Sequence, residues 1–209
     1  SKFGKNNKYA FFPSVGLGWI ISNESFMKDA TWLDQLKLHT SYGVTGNSEI
    51  GVYRSLATIA SGTILQNGNR QPSSYVTRLP NPDLKWEKTE QFDVGFNISM
   101  FANRVSFETS YYHKLTKDLL LDRPVPHSTG FSSVIDNIGS VKNQGLEFML
   151  NTVNVQTKDF RWSSTINLNW NKNEVVKLGA NNEDIEPGPW WVSGSQIRLS
   201  VGQPLSSFY

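Results

Sequence analysis

Four stretches of the chain alternate large apolar side chains with small or polar ones. In YAFFPSVGLGWII, Phe11, Val15, Leu17, Trp19 and Ile21 share one parity, and Phe12, Ser14, Gly16, Gly18 and Ile20 share the other. In QFDVGFNISM, Phe92, Val94, Phe96, Ile98 and Met100 oppose Gln91, Asp93, Gly95, Asn97 and Ser99. GLEFMLNT sets Leu146, Phe148, Leu150 and Thr152 against Gly145, Glu147, Met149 and Asn151. FRWSSTINLNWN sets Trp162, Ser164, Ile166, Leu168 and Trp170 against Arg161, Ser163, Thr165, Asn167, Asn169 and Asn171. A period of two predicts β-strands, because successive side chains point to opposite faces. The second parity carries Asn, Ser, Thr, Gly and an occasional charge, which suits water or a polar lumen; the Phe-, Trp-, Leu- and Ile-rich parity suits lipid.

The strands are joined by connections of alternating length. The first strand runs over 10–21 and the second over LKLHTSYGVTG, where Leu36, Leu38, Thr40, Tyr42 and Val44 oppose Lys37, His39, Ser41, Gly43 and Thr45. The polar stretch 46–84 is far longer than an ordinary loop and reads as a functional or partly structured excursion. A third strand over 87–101 meets a tight turn at Ala102-Asn103-Arg104 and returns as VSFETSYYHKL. LTKDLLLDRPVPHSTGFSSVIDNIGS reads as a second long loop, its two prolines arguing against a central strand. The fifth and sixth strands flank a turn near 154–159, and a third long segment precedes IRLSVGQPLSSFY, the start of a seventh. Alternating short turns and long loops are the pattern of an outer-membrane barrel.

Trp162 and Trp170 lie eight residues apart on one parity, as do Phe11 and Trp19. That is ~26 Å along a strand. A ~40° tilt reduces it to ~20 Å of height, near the ~25 Å apolar band that aromatic girdles bound. Trp19, Trp162 and Trp170 are therefore the candidate girdle. The predicted fold is all-β: an antiparallel up-and-down transmembrane β-barrel portion of six to seven strands with long extracellular loops. The smallest single-chain membrane barrels need eight strands, so the remainder is expected from sequence beyond these residues. Open edges are untenable in lipid.

Composition narrows the alternatives. In 209 residues the net charge is +2 and there is no cysteine, so neither a nucleic-acid footprint nor a disulfide scaffold is present. Mean hydropathy is −0.40. No run approaches the ~18 apolar residues of a membrane helix, which leaves barrel strands as the spanning option. The chain opens on SKFGKNN without a starting Met or signal peptide and closes on PLSSFY, both of which read as cut from a longer protein. Residues 1–209 are read as part of a single barrel domain.

Seven segments then carry a resemblance. YAFFPSVGLGWIIS, WLDQLKLHTSYGVTGNSEIG, LPNPDLKWEKTEQFDVGF, SYYHKLTKDLLLDRPVP, NIGSVKNQGLEF, NWNKNEVVKL and VGQPLSSFY follow one another as in the later barrel of SusC/RagA-type TonB-linked outer-membrane transporters. The chain resembles that family over nearly its whole length, with NPDLKWEKT and NIGSVKNQGLE the most diagnostic segments. The resemblance implies a large plugged barrel of the 22-stranded kind, importing oligosaccharides or peptides across the outer membrane. It also implies a SusD-like surface lipoprotein as partner, TonB as energy source through a segment absent here, and no cofactor, metal or enzymatic step.

Candidate residues follow from the two faces. Asp93, Asn97, Glu108, Glu147, Arg161, Asn167 and Asn169 are expected to line the lumen, and Phe92, Phe96, Phe148, Ile166 and Leu168 to face lipid. Asp93, Glu108 and Glu147 read as polar lining rather than an acid–base pair, which needs a pocket and a ~5–9 Å separation. His39, His113 and His127 lack metal-ligand spacing. Trp190 and Trp191, after Pro187-Gly188-Pro189, either stack on sugar rings, anchor a partner lipoprotein or pack their own loop; Tyr53 and Tyr75 are weaker candidates of the same kind. Trp86 reads as an anchor at the outer membrane interface. Two rivals remain: a passive porin or adhesin barrel, and a soluble carbohydrate-binding β-sandwich, which requires the apolar parity to be buried between sheets.

Overall fold

The computed structural model describes residues 2–4, 6–185, 197–205 and 207–208. Its strands are β1 (Ser14–Ile20), β2 (Leu33–Asn47), β3 (Thr58–Gln66), β4 (Asn69–Arg78), β5 (Glu87–Met100), β6 (Val105–Pro124), β7 (Ser133–Gln156) and β8 (Arg161–Leu178). Two short strands follow, β9 (Ile197–Arg198) and β10 (Ser207–Phe208). One sheet runs in the order β1-β2-β5-β6-β7-β8 with every neighbour antiparallel, while β3–β4 and β9–β10 pair separately. The up-and-down order is the expected one, and the sheet of six strands does not close on itself.

Register converts the sequence alternation into two faces. One row across the sheet reads Trp19, Leu38, Phe96, Thr109, Phe148, Leu168, and the next reads Leu17, Thr40, Val94, Tyr111, Leu146, Trp170. The two threonines do not break the belt. Thr40 donates its hydroxyl to the Asp93 carbonyl at 2.9 Å and Thr109 donates to the Glu147 carbonyl at 3.0 Å, so both hydroxyls are satisfied by backbone. On the opposite face the rows read Gly18, His39, Gly95, Ser110, Glu147, Asn169 and Ser41, Asp93, Tyr112, Gly145, Asn171. The belt is uncovered: Leu17 is 70% exposed and Leu168 64%. Buried apolar residues gather instead near the far ends of β7 and β8, where Val141, Val175, Leu178 and Leu199 pack with Leu119, Leu121 and Ile185.

Two boundaries differ from the sequence reading. β1 begins at Ser14, after Pro13, so Phe11 lies outside the strand and the Phe11–Trp19 spacing is not a strand distance; the Trp162–Trp170 spacing is, since both lie in β8. The supposed second long loop is mostly strand: β6 runs on to Pro124, opposite Ser133, leaving only 125–132 as connection. The proline rule failed there because Pro124 occupies the last strand position and Pro126 already lies in the turn. The 46–84 excursion is partly structured by the β3–β4 hairpin. At the opposite end the β5–β6 turn is tight, with Phe101, Ala102 and Asn103 all at left-handed φ of 58°, 55° and 58°.

Two glycines let aromatic side chains lie across the polar face. A Cβ at Gly145 would come within 2.6 Å of the Tyr112 ring and 2.7 Å of the Trp170 carbonyl; at Gly95 it would meet the Thr109 carbonyl at 2.5 Å and His39 Nε2 at 2.8 Å. This is the packing of a ring over a neighbouring strand's glycine. Gly145→Val is expected to destabilise the wall by about 1–3 kcal/mol through overpacking. Gly16→Val, whose nearest neighbours are 3.8 Å away, is expected to leave it unchanged. The folded fraction of the full-length protein, read from heat-modifiable electrophoretic mobility, distinguishes the two.

Candidate functional site: a two-faced wall and its long-loop rim

All seven residues expected to line a lumen lie on the polar face. Their carboxylates have different neighbours. Asp93 accepts from Gln91 Nε2 at 2.9 Å and Ser41 Oγ at 3.2 Å, whereas Glu147 faces Ser110 and Asn169. Glu108 stands opposite Asn97 and Met149. Two shallow depressions of about 440 and 340 Å³ open on this face, one around Asp93, Tyr112, Lys114 and Asn171, the other around Glu108, Glu147 and Asn167. Such a surface offers hydrogen bonds to a polar solute along its length. Among the described residues no group of three or more His, Asp or Glu is placed to hold a metal.

Phe92, Phe96, Phe148, Ile166 and Leu168 share the opposite face, where Phe107 links Phe96 and Phe148 at ring distances of 5.7 and 6.1 Å. Trp19, Trp162 and Trp170 stand on that face and are half exposed. Trp19 Nε1 donates to Glu24 at 2.9 Å. The belt ends where His113, Gln144 and Lys172 take over its parity towards the long-loop end.

Above that limit Glu174 pairs with Lys142 at 3.1 Å and Lys172 at 3.6 Å. The hydrogen bond from Lys142 holds the Glu174 carboxyl below the usual carboxylate range, its charge and that of Lys172 adding to the effect against an opposing desolvation. The pair's contribution is therefore fully present above the ordinary carboxylate pKa of about 4.3 and is lost as pH falls through the depressed folded value. Glu174→Gln is expected to remove that acid-side loss, measured as the difference between denaturant midpoints at neutral and acid pH.

The long-loop rim is where the two most diagnostic motifs meet. In NPDLKWEKT, Leu84 is fully buried. The side chain of Asn137, the first residue of NIGSVKNQGLE, accepts from the Lys85 amide at 2.9 Å and donates to the Lys85 carbonyl at 2.9 Å and the Asp118 carbonyl at 2.8 Å. Asp118 sits at a bulge in β6 with φ 58°. Lys85 pairs with its carboxylate at 3.0 Å, and Glu87 accepts from the Leu120 amide at 2.9 Å. Asn81 donates to the Ile135 carbonyl and to Asp136, which pairs with Arg123 at 3.1 Å. Sequence reasoning missed this knot, since its bonded side chains reach partners 13 to 55 positions away.

Trp86 is engaged by protein: its ring stacks on Phe3 at 4.8 Å and meets Phe12 edge-on at 5.7 Å, and its Nε1 donates to the Asn7 carbonyl at 3.0 Å. Tyr53 and Tyr75 are both 57% exposed, in the 48–57 loop and on β4. Trp190 and Trp191 lie outside the described residues. His39 lies over Gly95 on the polar face, His113 marks the belt's upper limit and His127 begins a single 3-10 turn.

An antiparallel, meandering wall with an apolar belt on one side and a polar surface on the other is the construction of a barrel. The chain belongs to the TonB dependent receptor-like β-barrel family, whose family model matches residues 1–200. Within it, the chain is of SusC/RagA type. It is 44% identical to the TonB-dependent receptor P26 of Formosa agariphila, over 86% of this chain and 18% of that protein. It is 35% identical to the TonB-dependent receptor SusC of Bacteroides thetaiotaomicron, over 100% of this chain and 22% of that one. Among solved structures, the RagAB peptide importer in its closed-closed state superposes with a TM-score of 0.87 at 36% identity, covering 100% of this chain and 22% of that one. The open-open state gives 0.85, again at 36% identity with 100% and 22% covered. The chain thus spans about a fifth of the length of these relatives.

Proposed function

We propose that residues 1–209 are part of a single barrel domain in the outer membrane of a Gram-negative-type cell, within a receptor that imports oligosaccharides or peptides. In this reading import is driven through TonB and shared with a SusD-like surface lipoprotein. The observation that carries it is the belt: a predominantly apolar face, interrupted in its central rows only by two threonines whose hydroxyls bond to backbone, runs across six strands with no second layer covering it among the described residues, as a lipid-facing wall requires. On β5 this parity stays apolar from Phe92 to Met100, about the length a tilted strand needs to cross the hydrocarbon core. A soluble sandwich would cover the same side chains with a second sheet.

The polar face then lines the lumen, the tight turns face the periplasm and the long-loop rim faces outward. The near-equal superposition on closed-closed and open-open importers supports a static role for this part of the wall, with movement left to plug and lid. Import of this kind needs positioning and gating but no covalent chemistry. The test is made in the native cell with the full-length gene. The protein is expected in the outer-membrane fraction, co-purifying with a lipoprotein, and uptake of its substrate is expected to stop when TonB is deleted. Uptake that persists without TonB would favour a passive barrel instead.

A further inference from the structure

The base of the β3–β4 hairpin holds two arginines. Neither Arg54 nor Arg78 forms an ion pair among the described residues. Arg78 is fixed in place: its Nη2 donates to the Tyr53 carbonyl at 2.7 Å and the Leu56 carbonyl at 3.3 Å, and its Nε is shielded from solvent without an acceptor. Both arginines line an open-topped pocket of about 320 Å³, closed on the far side by Asp122 of β6 and by Phe131, Ser132 and Ser133. Thr58 and Thr77 add two hydroxyls, 2.7 Å apart.

We propose that this pocket binds an acidic saccharide unit, placing its carboxylate or sulfate on the arginine side and its hydroxyls on Ser132, Ser133 and Asp122. The proposal rests on the import reading and names a substrate class for it. Planar guanidinium groups are the side chains best matched to an oxyanion. One anion does not need Asp122, which repels it; a sugar acid does, because its hydroxyls require acceptors as well as donors. Phe131 provides an apolar surface of the kind a sugar ring can cover. The carboxy terminus of a peptide would bring a side chain, and beyond Phe131 the pocket's apolar lining is Ile135 alone. The volume lies at the low end of the ~300–1,000 Å³ typical of small-ligand sites, which suits a single unit of a polymer.

The experiment is calorimetry on the purified full-length receptor with four probes. These are a glucuronate-containing disaccharide, the same disaccharide with its carboxyl reduced to an alcohol, a sulfated neutral disaccharide, and a glutamyl dipeptide. At least one charged disaccharide is expected to bind about tenfold or more tightly than the reduced one, and which of them does so identifies the oxyanion. Arg54→Gln is expected to abolish that preference and Arg54→Lys to restore part of it. Arg54 is the residue to change because Arg78 also holds the 53–56 turn. Equal binding of charged and reduced disaccharides, or an unaltered preference in a folded Arg54→Gln protein, overturns the site. Dipeptide binding as tight as the charged disaccharide's overturns the saccharide assignment. Wild-type uptake is scored in parallel: if it is TonB-dependent while Arg54 proves indifferent, only the pocket falls.

Discussion

Phe148→Arg in the full-length receptor is expected to cost about 2–4 kcal/mol of membrane-inserted stability, while Met149→Arg, one residue along the same strand, costs little. Phe148 stands in the middle of the belt, between Thr109 and Leu168, in contact distance of the Phe107 ring. Arginine near the bilayer midplane carries a penalty of that size, falling towards zero at the interfaces. Met149 lies between Glu108 and Asn167 on the polar face, where a cation gains carboxylate neighbours. Urea titrations of the protein folded into phospholipid vesicles give the two values. Equal losses at both positions would mean that the faces have been misassigned.

The second large effect is expected at Asn137. Its carboxamide makes three hydrogen bonds to backbone groups of two other segments, at Lys85 and Asp118. Removing a side chain that satisfies partly buried backbone groups costs about 1–3 kcal/mol for each group left unpaired. Asn137→Ala is therefore expected to loosen the rim by about 2–4 kcal/mol, with some groups regaining water. Asn137→Asp is expected to be no better, since it keeps the acceptor for the Lys85 amide, loses both donations and sets a third carboxylate beside Asp118 and Asp136. Hydrogen exchange should accelerate at residues 81–87 and 117–121 in both variants, together with faster proteolysis in the 48–57 loop. That loop is tied to the knot through the Asn81 amide, which donates to the Ser55 carbonyl at 3.1 Å. Unchanged exchange at Lys85 would remove Asn137 from this role.

The contrast between these residues explains what was legible in the sequence. The belt was, because its information is local: Phe92, Phe96, Ile166 and Leu168 show their parity within a ten-residue window, and pairing only has to preserve it. The extension of β6 and β7 was not. Pro124 is a breaker by local rule, yet it falls at the one end of a long hairpin where its missing amide costs nothing. Phe11 shows the opposite error, an alternation that continues into a segment that pairs with nothing as a strand. The knot around Asn137 was visible only as a motif, because a carboxamide gives no sign of which distant backbone it will bond. The arginine pocket was silent for the same reason: Arg54 and Asp122 lie in different hairpins and meet only through the fold. Glycines within the polar parity were the available hint for the rings of His39 and Tyr112.

The central claim is the sidedness of the wall, and single cysteines introduced into this cysteine-free stretch, with any elsewhere in the receptor replaced, make it directly measurable. Spin labels placed one at a time at residues 165–170 of the full-length receptor in phospholipid bilayers report collision with oxygen, which partitions into lipid, and with a water-soluble nickel chelate. Labels at Ile166, Leu168 and Trp170 should favour oxygen, and labels at Thr165, Asn167 and Asn169 should be shielded from it, alternating residue by residue. An inverted alternation, or equal accessibility on both parities, would contradict the account.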